Sequence, residues 1–268
     1  MRVINQLVKL CINKPIYGER GKSISQHFAL FAFSLIIIYF TSAEKAFAQP
    51  EQKLGNWIGA TSSMRFSEHW SLFLQGELRT WEMASNLNEL LWRIGGVYQI
   101  NDKLSAAAGY VRVDTWPYDN EPYRKFYENR SYQDFVIKSK WGKSIGIQNR
   151  FRLEQRWITF RNDGVEYSNR IRYLLSFNIP ISQNKEKNTS NYVALYNEIF
   201  LDFDKFDYWF DREAGKSGLN QNRLYAGVGH RFSSNSALQL GLMWQHRPNT
   251  DFLRLILGYS QNFDFRKK

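Results

Sequence analysis

Between residues 146 and 156, alternate positions carry Gly146, Gln148, Arg150, Arg152, Glu154 and Arg156, while Ile145, Ile147, Phe151, Leu153 and Trp157 fall on the intervening parity. Period-two alternation puts successive side chains on opposite faces of an extended chain, so this stretch is a β-strand with one charged face and one apolar face. Soluble strands typically run about 5–6 residues, and this pattern persists well beyond that. A tilted strand of about 9–11 residues is long enough to cross a bilayer. The same alternation recurs along the chain. It predicts an all-β fold, an antiparallel transmembrane β-barrel of about ten to twelve strands following a cleavable signal peptide.

The compartment is read from the amino terminus. Residues 28–40 form the one long apolar block, with Arg2, Lys9, Lys14, Arg20 and Lys22 ahead of it and Ala46-Phe47-Ala48 behind. A basic leader, a short apolar centre and an A-x-A site describe a secretory signal cleaved after Ala48, with a retained membrane anchor as the alternative. The predicted organisation is thus a signal peptide over 1–48 and a barrel domain over 49–268. Cys11 lies in the leader, so the exported chain is expected to hold no thiol, disulfide or cysteine-bound metal. Sec export followed by a cysteine-free β-chain points to the outer membrane of a Gram-negative bacterium.

Removing the leader takes six of the 36 Lys+Arg and two of the 25 Asp+Glu, leaving 30 basic against 23 acidic residues. A basic chain raises the question of nucleic acid. That partner is excluded here, because the arginines are interleaved with glutamates on shared strand faces and no lysine-rich stripe appears. Nine Trp and fifteen Tyr suit a membrane–water boundary, where an amphipathic ring is apolar on its body and polar at its tip. A soluble sandwich with an aromatic core is the competing reading.

Eleven segments alternate: 54–66, 70–81, 88–100, 104–114, 128–140, 145–161, 167–179, 192–203, 219–232, 237–247 and 252–265. Single-chain bacterial barrels have an even number of strands, so an odd count implies a miscounted piece. The longer connections, 115–127 and 204–218, follow even-numbered segments. With short turns in the periplasm and long loops outside, segments two to eleven make a consistent ten-stranded set. Segment 54–66 is then an extra piece, or pairs with an unrecognised twelfth strand.

Alternation alone does not say which face points inward. Strand length, the pairing of glycine with charge in mid-strand, and a final segment ending in Phe263-x-Phe265 all favour an apolar exterior. The last feature resembles the carboxy-terminal aromatic signal read by barrel-assembly machinery, here followed by Arg266-Lys267-Lys268. Outer-membrane lipids, lipopolysaccharide and that machinery are the expected partners.

The order of motifs carries a resemblance. It comprises Trp57; Glu77-x-Arg79; Arg93-x-Gly95 with Tyr98; Gly109-Tyr110; Glu128-x-Arg130 with Tyr132-Gln133; Arg150-x-Arg152-Leu153-Glu154-Gln155-Arg156; Arg170-x-Arg172-Tyr173; Asn197-Glu198; and Gln221-Asn222-Arg223-Leu224 with Gly227-x-Gly229. This succession resembles a bacterial outer-membrane family catalogued only as a domain of unknown function, family 2490. The resemblance implies a barrel and a location, and supplies no activity, ligand or catalytic residue.

On the predicted inner face lies a ladder of Glu77, Arg79, Glu89, Arg93, Glu128, Arg130, Arg150, Arg152, Glu154, Arg156, Arg170, Arg172, Glu198 and Arg223, nine arginines against five glutamates. The expected role is structural, with ions that neutralise each other across strands and fill a closed lumen. The alternative is that the excess arginine guides a small anionic solute, such as an acidic sugar, through a narrow, porin-like passage.

Catalysis is not expected. The exported chain has three histidines, His69, His230 and His246. A nucleophile needs its base within hydrogen-bond reach. His246 shares parity with the outward Trp244, without a serine near Phe252 or Leu253. His230 has Ser233, Ser234 and Ser236 near it, but at a short turn. A lipid-modifying hydrolase is therefore the weakest of the three functions weighed. Asp202, Asp204, Asp207, Asp211 and Glu213 would offer calcium its oxygen ligands, but without the glycine and terminal glutamate of a calcium loop they read as a solvated acidic loop. No cofactor or metal is expected, since no phosphate loop, CxxC or HExxH motif occurs.

Overall fold

A computed structural model describes residues 54–116, 125–142, 144–160, 164–184, 188–204, 218–248 and 250–266. The leader with its predicted cleavage site and Cys11 lies outside the described residues, as does most of the acidic loop.

Eleven strands follow one another: β1 Gly55–Arg65, β2 Trp70–Glu82, β3 Ser85–Gln99, β4 Leu104–Thr115, β5 Phe126–Trp141, β6 Ile145–Phe160, β7 Gly164–Asn184, β8 Thr189–Asp202, β9 Gly218–Arg231, β10 Ser236–Arg247 and β11 Thr250–Asp264. Each pairs with its sequence neighbour in antiparallel register, and β1 closes the wall by pairing with β11. The described residues contain no helix. Strands of 11 to 21 residues are stitched at one end by the short connections after β1, β3, β5, β7 and β9. At the other end lie the connections after the even strands, including the two long ones.

The closure corrects the expectation of an even, wholly antiparallel wall. The described wall has eleven strands. Segment 54–66 is neither spare nor short of a twelfth partner: β1 runs antiparallel to β2, from Trp57 opposite Arg79 to Arg65 opposite Ser71, and parallel to β11, from Gly55 beside Arg254 to Arg65 beside Asp264. Parallel pairing is slightly weaker per residue, yet β1 leaves neither of its edges unpaired. An odd count has a geometric consequence. The start of β1 lies at the end of the long connections, and the end of β11 lies at the short-turn end.

The partition of side chains is the reverse of a water-soluble barrel. Ile58, Leu78, Leu90, Trp92, Ile94, Leu153, Val228, Leu240, Leu242 and Leu253 are exposed on the outer face, whereas Glu128, Arg152, Glu154, Arg156, Arg170, Arg172 and Glu198 are buried within. Aromatic rings collect on the outside near the short turns, where Trp70 stacks obliquely on Tyr98 at 5.0 Å and Phe66 on Phe265 at 5.7 Å. Towards the other end, Trp157 meets Tyr167 at 5.4 Å. Arg266 ties the end of the chain to this short-turn rim through Asp264 at 2.6 Å and Glu68 at 2.6 Å, and these hydrogen bonds raise its pKa above that of an ordinary guanidinium.

Inside, aromatic residues fill the space beside glycines. Tyr132 on β5 crosses over Gly95 and Gly109 of β3 and β4, where any added Cβ would strike the ring or the neighbouring backbone. Tyr225 on β9 lies over Gly227 and Gly241 in the same manner. Tyr225 stacks on Tyr196 at 4.7 Å and packs with Trp57, Tyr192 and Met243 into a buried apolar cluster.

Candidate functional site: an arginine-lined chamber

All fourteen ladder residues lie on the inner face of the wall. Because an antiparallel register sets side chains of one face opposite each other, the pairings of β5 to β8 decide which charges meet. Asp134 faces Arg152, Glu154 faces Arg170, Arg152 faces Arg172, and Arg170 faces Asp202.

The resulting network is continuous. Arg152 grips Asp134 with two parallel hydrogen bonds of 2.6 Å each, the fork-on-fork geometry favoured by guanidinium and carboxylate. It also lies 3.8 Å from Glu154. Glu154 accepts from Arg170 at 2.9 and 2.5 Å and from Arg172 at 2.8 Å. Arg172 reaches on to Glu198 at 3.0 and 2.7 Å, which also accepts from Arg150 at 2.6 Å and stands 3.9 Å from Arg223. Towards the long-connection end, Arg156 and Arg130 both donate to Glu128, and Asp202 sits 3.6 Å from Arg156 and 3.9 Å from Arg170. Across the barrel, Arg79 is held between Glu77 and Glu89.

Aromatic faces take up part of the positive charge. Arg79 lies 3.8 Å and Arg223 4.8 Å from the Trp57 ring centre, on which both converge. Phe200 is approached by Arg172 at 4.3 Å and Arg223 at 4.6 Å. Tyr132 receives Arg152 at 4.6 Å and Arg93 at 5.3 Å.

Four interior charges were not read from the sequence: Asp134, Asp202, Arg247 and Arg254. All four share the parity of inward residues, Asp134 with Glu128 and Arg130, Asp202 with Glu198 and Phe200, Arg247 with Met243 and Gln245, and Arg254 with Ile256, so the signal was present in the strands. Asp202 is a correction. It is the last residue of β8, buried against Arg156 and Arg170, and not part of a solvated loop. With these four, the described interior holds eleven arginines against seven carboxylates.

Between the β5–β8 wall and the Trp57 side lies a cavity of about 610 Å³, lined by Arg79, Arg93, Arg130, Arg150, Arg156 and Arg223 among others, and by Phe73, Leu91 and Leu174. A second cavity of about 210 Å³ lies further towards the short turns, bordered by Tyr192, Gln239, Gly258 and Ser260. Trp57, Thr61, Gln75, Glu77 and Ile256 border both cavities, which adjoin on the β1, β2 and β11 side.

The histidines stand apart from this chamber. His246 contacts Asp251 at 2.5 Å on the outer face, and its cross-strand neighbours are Asn222 and Asp251, with no serine opposite. His230 contacts Asn191 at 2.7 Å, and His69 contacts the Gln99 carbonyl at 2.7 Å. Among the described residues no cluster of His, Cys, Asp and Glu has the composition to hold a metal ion. Of the acidic-loop candidates, Asp204 accepts from the Asn169 backbone at 2.6 Å, while Asp207, Asp211 and Glu213 lie outside the described residues.

Comparison with known proteins adds family membership. The profile of a family described as a protein of unknown function, DUF2490, matches residues 54–254. The chain belongs to the DUF2490 family. The match starts at β1 and ends within β11, so it takes in β1 to β10 whole and the start of β11. An uncharacterised protein of Methylorubrum extorquens is 24% identical over 222 residues, covering 82% of this chain and 89% of its own length. For this DUF2490 protein, the functional argument rests on the chamber itself.

Proposed function

We propose that this DUF2490 protein is an integral outer-membrane β-barrel whose arginine-lined interior passes small anions. The observation that carries the reading is the inverted partition of side chains, with leucine, valine and aromatic residues outward and guanidinium groups inward. In water, an outer wall so rich in large apolar side chains would drive association. In hydrocarbon it is the ground state, and the paired strands of a closed barrel leave no wall edge unsatisfied. The leader sequence supports export, and the rings near the short turns suit an interfacial girdle. The family resemblance agrees with that location. In this orientation the short turns face the periplasm, lipids and lipopolysaccharide surround the wall, and the strand ending in Phe263 and Phe265 is presented to the assembly machinery.

Anion preference follows from the excess of arginine over carboxylate around the larger cavity, since a cationic, low-dielectric passage lowers the energy of an anion and raises that of a cation. No chemical step is assigned to the barrel, because the histidines lie outside the chamber. The experiment is reconstitution into planar bilayers under a salt gradient. Discrete conductance with a reversal potential displaced towards the anion is expected. A second reading, a closed structural barrel, draws on the packing of Tyr192, Tyr196, Tyr225 and Met243 and on the mutual neutralisation of the β5–β8 wall. Silent bilayers containing barrel of native, heat-modifiable gel mobility would favour it.

A further inference from the structure

Arg93 lines the chamber without a counter-ion among the described residues. Arg93 is 8% exposed, near the middle of β3, and faces the larger cavity. Its cross-strand neighbours on the inner face are Gln75 on β2 and Val111 on β4, and the adjacent inward positions on its own strand are Leu91 and Gly95. None of these four carries a carboxylate. Among the described residues Arg93 makes no ion pair within 4.0 Å, its Nε has no hydrogen-bond partner, and its recorded contact is the face of Tyr132 at 5.3 Å. Like charge lies beside it, for Arg152 approaches the same Tyr132 ring at 4.6 Å. Arg150 also lines the cavity and spends one hydrogen bond on Glu198, leaving its own Nε without a partner.

An uncompensated buried charge destabilises a fold. Arg130, Arg150, Arg152, Arg156, Arg170 and Arg172 of the β5–β8 wall each have a carboxylate in reach, whereas the register of β3 gives Arg93 none. Departures of this kind concentrate where a protein binds or reacts. Resting on the anion-passage reading of the interior, we infer that Arg93 and Arg150 form an oxyanion subsite in the chamber, which holds the carboxylate or phosphate group of a small solute. Arg93 brings a whole guanidinium fork, suited to two parallel contacts with one oxyanion. Phe73, Leu91 and Leu174, which line the same cavity, offer the rest of such a solute an apolar wall. With about 610 Å³ available, the chamber is of ordinary size for a small-molecule site.

The test is calorimetric titration of the protein in phosphatidylcholine nanodiscs, which present no anionic headgroup, with glucuronate, inorganic phosphate and, as neutral control, glucose. Saturable heat is expected with glucuronate or phosphate and none with glucose, and the oxyanion that binds identifies the source, organic acid or free phosphate. In Arg93→Met the Kd should rise at least tenfold. The same substitution should leave the urea midpoint equal to or above wild type, because it removes an unpaired charge, whereas a merely structural residue would lower it. If Arg93→Met does not fold, the wild-type protein serves alone: the binding probe must raise its urea midpoint saturably. Absence of saturable binding by either oxyanion overturns the subsite, as does equal affinity in Arg93→Met. Either result leaves the passage intact if the bilayers conduct anions. Silent bilayers with saturable binding remove the passage and keep the subsite.

Discussion

Replacing Glu154 with leucine tests whether the interior network holds the β5–β8 wall together. Glu154 is 1% exposed and accepts three charge-assisted hydrogen bonds, two from Arg170 and one from Arg172. At about 1.5–3 kcal/mol each, simple addition gives about 4.5–9 kcal/mol. That figure is too large, because two of the three arginines around Glu154 keep another carboxylate. Arg152 retains Asp134 at 2.6 Å, and Arg172 retains Glu198 at 2.7 Å. Arg170 is left with Asp202 at 3.9 Å, beyond hydrogen-bond range. The loss therefore concentrates on one buried guanidinium, for which about 3–5 kcal/mol is expected. With a urea slope of about 2–3 kcal/mol per molar, the unfolding midpoint in phosphatidylcholine vesicles, followed by tryptophan fluorescence, should fall by about 1–2.5 M. Glu154→Gln keeps one carbonyl acceptor and should lose about half as much. Adding Arg170→Met to Glu154→Leu removes the orphaned charge and should restore at least about 1 M, a non-additivity expected of residues in contact. A single-variant shift below about 0.5 M, or strictly additive losses in the double variant, would refute the hub.

Two further substitutions separate the outer wall from the inner packing. Leu240→Arg places a charge near the middle of β10, at a site 45% exposed between the outward Val228 and Leu257. If that surface faces lipid, unfolding from vesicles should be easier by about 2–4 kcal/mol; a wall facing water would tolerate the change within about 0.5 kcal/mol, and such tolerance would sink the membrane reading. Gly109→Ala introduces a Cβ that would meet the Gly95 Cα at 2.5 Å and the Tyr132 ring at 2.9 Å. Overpacking of this kind costs about 1–3 kcal/mol, so the urea midpoint should fall, and an unchanged midpoint would contradict the placement of Tyr132 across the two glycines.

The local alternation of polar and apolar residues determined the strands, their two faces and the membership of the charge ladder, because a period of two is a property of the extended chain and needs no partner. The same parity extends to Asp134 in the middle of β5, Arg254 in β11 and Asp202 at the end of β8. Closure was beyond its reach. Whether β1 is a spare segment or a wall strand depends on which edges meet across the whole chain, and only the folded barrel showed β1 paired both to β2 and, in parallel, to β11. The same holds for the chemistry of the interior. That Arg152 meets Asp134 while Arg93 stands between Gln75 and Val111 is a matter of register between strands. One residue of slip would turn these side chains to the other face, so charge pairing, and the lack of it at Arg93, is a property of the tertiary structure alone.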